Sequence, residues 1–116
     1  MMQTAQELVE QILKLRSDRR VADLADLYSP DAVIVRHEGV ARGTAEIRSF
    51  LSGFLTAHGR FDLVSIDALS ECDDVIIFDA TVETSVGLLQ IAEVIVLDAT
   101  GLIRRHVPGL RGYWGQ

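Results

Sequence analysis

The run LLQIAEVIVL, Leu88–Leu97, holds a single charged side chain, Glu93. A buried carboxylate costs several kcal/mol, of order 3–5, unless it is paired, hydrogen-bonded or protonated. Glu93 therefore requires either a wet strand face or a specific partner. Two basic groups lie on neighbouring strand-like segments. His106 follows in LIRRHVPGL, and Arg36 ends the β-branched run DAVIVR. If Ala99 and Thr100 form a two-residue hairpin loop, Asp98 pairs with Gly101 and His106 stands directly opposite Glu93, their Cβ atoms about 5 Å apart. If Gly101 forms a bulge, the register slips and His106 changes face.

An acid beside a histidine is a proton-transfer pair: the acid orients the imidazole, and the imidazole acts as base. Arg36 adds an electrophilic, anion-steadying group. Glu93, His106 and Arg36 are thus the candidate catalytic residues. The plainer alternative is a satisfied internal ion pair, Arg36–Glu93 or His106–Glu93, with no chemistry. Burial would raise the Glu93 pKa and a cation beside it would lower it. The expectation is an ionised Glu93, because strands bearing Arg36 and His106 can both reach it.

These residues need elements to hold them. TAQELVEQILKLR opens with Thr4 and Glu7 in capping-box spacing and continues with Ala5, Leu8, Val9, Ile12 and Leu13 at helical period. SDRRVADLADLYSP predicts a second helix, capped by Ser17 or Asp18, facing Tyr28 inward and stopped by Pro30. ARGTAEIRSFLSGFLTAHG predicts a third, capped by Thr44 and ended by Gly59. FDLVSIDALS, VIIFDATVETS, LLQIAEVIVL and LIRRHVPGL read as strands joined by ECDD, SVG and DATG turns, an antiparallel meander. Helices early and strands late predict an α+β fold. A curved antiparallel sheet wrapped around three N-terminal helices leaves a pocket at its mouth. Tyr28, Phe50, Phe54 and Trp114 are the candidate ligand-binding residues, as core side chains that also wall that pocket.

The 116 residues predict one domain over 1–116. Seventeen acids against eleven bases, net −6, argue against a nucleic-acid or anionic-membrane surface. No apolar run reaches bilayer-spanning length, and the N-terminus lacks a signal-peptide core, so a cytoplasmic location is expected. Cys72, the only cysteine, permits no intrachain disulfide. Three histidines without ligand spacing predict no metal site, and there is no phosphate-cradling glycine loop.

DLADLYSPDAVIVRHEGVARGTAEIRSFL, then EVIVLDATGLIRRH, then YW resembles the SnoaL-like group of the nuclear transport factor 2-like superfamily. The marks are Tyr28 and Asp31, Gly43 with Ile47 and Phe50, and Asp98 and Gly101. The resemblance implies a cystatin-like cone, a homodimer through the convex sheet face, and no cofactor. It also places Glu93 on the inner face and favours the register that brings it opposite His106. Against ketosteroid isomerases of that superfamily, the proton-abstracting aspartate is matched by Arg36 and the oxyanion-hole tyrosine by Ile12. The protonated aspartate of the penultimate strand is matched by Glu93. The resemblance thus speaks against a steroid isomerase and leaves a pocket acid. It implies cofactor-independent acid/base chemistry (isomerase, cyclase or hydrolase type) on a small apolar molecule. A non-catalytic ligand-binding module or a dimeric scaffold is the alternative.

Overall fold

A computed structural model describes residues 3–114, without the side chains of His58 and of residues 110–114. Three helices come early: α1 (Ala5–Ser17), α2 (Val21–Ala25) and α3 (Gly43–His58). The strands are β1 (Tyr28–Arg36), β2 (Gly39–Arg42), β3 (Phe61–Cys72), β4 (Val75–Thr84), β5 (Gly87–Leu97), β6 (Ile103–Val107) and β7 (Leu110–Trp114). One sheet runs in the order β2-β1-β6-β5-β4-β3, with β7 also on β5. The pairing is antiparallel except where β1 lies parallel to β6.

The α1 cap is the predicted one. The Thr4 hydroxyl accepts from the Glu7 amide at 3.1 Å, and the Glu7 carboxylate accepts from the Thr4 amide at 2.9 Å. The second helix is shorter than expected. Ser17 belongs to α1, Asp18 is its C-cap, and Arg19 takes the left-handed conformation, φ 58°. Arg19 is held there by donating to the Leu55 carbonyl at 3.0 Å and to that of Gly59. Helix α2 starts after Arg20, without a side-chain cap, and stops at Ala25. Pro30 disfavours helix in the residue before it, and Tyr28 opens β1 instead. The cap of α3 is Arg42 rather than Thr44, because Gly43 at φ 77° already makes the turn into the helix. The hairpin partner β2 is additional to the expected strands.

The helices cover the inner sheet face. Ile12 and Leu13 of α1, Leu24 of α2 and Ile47, Leu51 and Leu55 of α3 meet Phe61, Phe78, Leu89, Ile91 and Ile95 in one buried core. Each such side chain contributes about 1.5–3 kcal/mol relative to exposure. Strand β3 carries two irregularities, between Leu63 and Ser65 and between Ile66 and Ala68, which bend the sheet around the helices.

LIRRHVPGL, expected as one strand, is broken. On one edge of β5, β6 pairs with Val94–Leu97 and β7 with Leu88–Ile91. Pro108 and Gly109 lie at the break. Proline has no ladder N–H to give, and Gly109 passes so close to β5 that a Cβ there would lie 2.7 Å from the Ala92 carbonyl oxygen. The Ala92 amide donates to Gly109 O at 3.1 Å across this gap. The ladder therefore opens beside Glu93.

Candidate active site: a buried tetrad beneath a cleft

Strand β5 alternates cleanly, with Leu89, Ile91, Glu93 and Ile95 buried on the inner face. Glu93 thus points inward, beside its cross-strand neighbour Phe78. Its cation is one the sequence did not reveal. Arg16, in the last turn of α1, donates from Nη1 to Glu93 Oε2 at 2.6 Å and from Nη2 to Oε1 at 2.8 Å. Both residues are only 2% exposed. Arg16 continues the buried stripe of α1 one turn past Ile12 and Leu13. That position was the available signal: a base on the apolar side of an amphipathic helix must be paired. The guanidinium also lies 5.7 Å from the Phe54 ring centre and 5.8 Å from that of Phe61.

His106, 1% exposed, approaches Glu93 Oε1 through Nε2 at 2.5 Å. It does so by a register that differs from both expected ones. Asp98 faces Leu102 across a three-residue loop, since the Asp98 amide donates to Leu102 O at 2.8 Å and Gly101 adopts φ 90°. A second slip follows between Val96 and Leu97, so that Val96 pairs with Arg105 and Ile95 with His106. Each slip of one residue reverses which face the following side chains take. Two slips restore it. His106 is therefore on the Glu93 face, one pleat along rather than directly opposite.

The Tyr28 hydroxyl completes the group, 2.7 Å from His106 Nδ1. A carboxylate only accepts, so Nε2 carries the imidazole hydrogen. In the neutral ring, Nδ1 then accepts from the Tyr28 hydroxyl. Burial pushes the tyrosine's pKa upward, the Arg16 charge opposes this and Glu93 adds to it, so Tyr28 stays protonated. For Glu93, burial pushes the pKa up. The charge and hydrogen bonds of Arg16, with those of His106, outweigh it and hold the carboxyl well below the ordinary range. Glu93 is ionised, as expected, but through Arg16 instead of Arg36. Burial disfavours the charged Arg16 and the pairing with Glu93 overcomes it, so its pKa is raised. The Arg16–Glu93 pair at its centre holds one positive and one negative charge and is neutral as a whole.

Arg36 sits at the rim, with its side chain one-third exposed. It pairs with Glu38 at 3.2 Å and lies 4.9 Å over the Phe50 ring. Between rim and tetrad is a cleft of about 170 Å³, lined by Arg36, Phe54, Ile91, Glu93, Pro108 and Gly109 with His37 and Glu38. The structure thus brings Glu93, Phe54 and Arg36 to one cleft, and Phe50 to an adjoining one. Tyr28, expected as a ligand contact, is packed in the core with its hydroxyl committed to His106. The Trp114 side chain lies outside the described residues. Among the described residues, no group of three His, Cys, Asp or Glu could hold a metal ion, and no helix is long and apolar enough to cross a membrane.

Chemically, Glu93 is an acceptor fixed in place. Oε1 already takes two hydrogen bonds and Oε2 one, which leaves Oε2 a lone pair for a donor. A carboxylate with so depressed a pKa is a weak proton acceptor. Both His106 nitrogens face protein partners.

A helix-lined, strongly bent α+β sheet with its cleft at the open end defines the cystatin-like cone. Residues 9–107 match the SnoaL-like domain, and the chain belongs to that family. Among curated proteins, none matches the chain by sequence. Solved structures resemble it in fold. A protein from Sphaerobacter thermophilus is 20% identical, with TM-score 0.74 over 90% of this chain and 94% of the other. A Sinorhizobium meliloti protein provisionally named a polyketide cyclase is 14% identical, TM-score 0.75, over 91% and 99%. An Agrobacterium tumefaciens protein provisionally named an isomerase of the SnoaL-like family is 17% identical, TM-score 0.72, over 95% and 100%.

Proposed function

We propose that the chain binds a small, largely apolar molecule in the cleft above Glu93, with the carboxylate accepting a hydrogen bond from a ligand hydroxyl or N–H. The observation that carries this reading is an ionised, buried carboxylate lining an apolar cleft, aimed by Arg16 and His106 before any ligand arrives. Preorganised polar groups in an apolar cleft are the usual makings of a ligand site. Titration of methyl- and amide-labelled protein with a fragment library tests it by NMR. Hits should shift Ile91, Glu93 and Gly109 together. A library that perturbs none of them refutes it.

A second reading is cofactor-independent acid/base catalysis of the isomerase or cyclase type. The short chain Tyr28–His106–Glu93 favours it, since it links a cleft carboxylate to two further proton carriers, and two fold relatives carry such names. In D2O, small ketones should then exchange protons next to the carbonyl in the presence of wild type, and not with His106→Asn. No exchange with wild type refutes this second reading and leaves the first.

We further propose a homodimer through the outer sheet face. Val94 lies between its register partners Ile77 and Val107, which are 49% and 44% exposed, and Ala92 and Val96 continue the row. Apolar rows of this kind on a sheet face are common sites of association.

A further inference from the structure

Among the described residues, Arg36 borders each of three clefts at the open end of the cone. These are the inner one above Glu93, an outer one of about 340 Å³ beside Phe50, and a third of about 290 Å³ beside Phe50 and Phe54. The Phe50 ring, 4.9 Å from the guanidinium carbon, holds the cation at the rim. Its ion-pair partner Glu38 has a side chain 69% exposed. Such a pair is screened by water and held weakly, so Arg36 can exchange Glu38 for another anion at little cost.

The floor of the inner cleft does not oppose that exchange. Glu93 is neutralised by Arg16 at bonding distance, so an anion entering from the rim meets no uncompensated negative charge there. Phe54, Ile91 and Pro108 give the walls an apolar character. The inner cleft is smaller than the ~300–1,000 Å³ typical of drug-sized ligands. It admits a single ring or a short branched chain, and any polar head of such a ligand lies outward, where Arg36 stands.

We propose that Arg36 selects the ligand class: a small carboxylic acid whose apolar body lies against Phe54 and Ile91 and whose carboxylate takes the Arg36 fork in place of Glu38. Arginine matches a carboxylate with two parallel hydrogen bonds. The chain as a whole carries −6 and repels anions at a distance, so the preference rests on this local site. The proposal rests on the ligand-site reading above, and its test separates the two.

Matched hydroxyl-bearing aromatic and alicyclic acids and their primary amides, such as 4-hydroxyphenylacetate and 4-hydroxyphenylacetamide, are titrated into the whole protein by NMR at low salt. The acids should bind wild type about ten-fold more tightly than the amides. Arg36→Gln should abolish that gap by weakening the acids far more than the amides, with a native-like amide spectrum showing that the variant is folded. Glu38→Gln, by removing the competing anion, should tighten the acids alone. Added salt should narrow the gap in wild type. Equal binding of acids and amides, with shifts at Ile91 and Gly109, overturns the anion preference and keeps the ligand site. Binding of neither class overturns both.

Discussion

Replacing Glu93 by Gln removes one charge and almost no volume, so its effect isolates the tetrad's electrostatics. In the native protein the Arg16 fork meets two carboxylate oxygens at 2.6 and 2.8 Å, with both residues almost fully buried. Glutamine offers one oxygen and one NH2. Whichever way the amide lies, its NH2 faces an Arg16 N–H, that of Nη1 in one orientation and that of Nη2, with His106 Nε2 beside it, in the other. Breaking a buried pair from one side costs about 3–5 kcal/mol, because it leaves an uncompensated charge. That is a large share of the ~5–15 kcal/mol that holds a typical domain together. Urea unfolding at pH 7 and fixed protein concentration reads the change. A cycle with Arg16→Met and the double variant Arg16→Met/Glu93→Gln assigns it to the pair. The double variant should recover part of the loss, since it strands no cation. A Gln variant within about 1 kcal/mol of wild type would refute the claim that Glu93 is a carboxylate held by Arg16.

Acid should act through the same residue. The depressed Glu93 pKa means that its contribution is fully present above the ordinary carboxylate value of 4.5 and drains away as pH falls below it. Below about pH 4.5, wild type should lose stability by ~1.4 kcal/mol per pH unit more than Glu93→Gln does, read by urea melts across pH; parallel profiles would count against the ionised state. Gly109→Ala should cost about 1–3 kcal/mol, since its Cβ would lie 2.7 Å from a backbone oxygen that has little room to yield. A thermal melt unchanged by this substitution would show that the β6–β7 break is not tightly held. Light scattering after size exclusion should give twice the chain mass at micromolar concentration, and Val94→Lys should give the monomer; a monomeric wild type would remove the proposed outer-face dimer.

Much of this architecture is legible in the order of residues. The capping box Thr4–Glu7, the stripe Leu8–Val9–Ile12–Leu13 and the alternation of Leu89, Ile91, Glu93 and Ile95 are local patterns. Local patterns survive because helix and strand periods are set by the backbone itself. The same alternation marked Glu93 as the residue to explain. Its partner was beyond local reasoning. Arg16 lies 77 positions away on a helix, and only the packing of α1 across the sheet brings the two together. The stripe did extend to Arg16, but a base at the end of an amphipathic helix is usually a solvated one, so sequence alone chose Arg36. The hairpin shows the other limit. DATG permits several turns, and a single slip would have turned His106 outward. Only the assembled sheet, with a second slip compensating the first, decides that His106 faces Glu93. That choice follows from cooperative packing against Tyr28 and the core, because one face of β6 must be buried and no short stretch of chain encodes which.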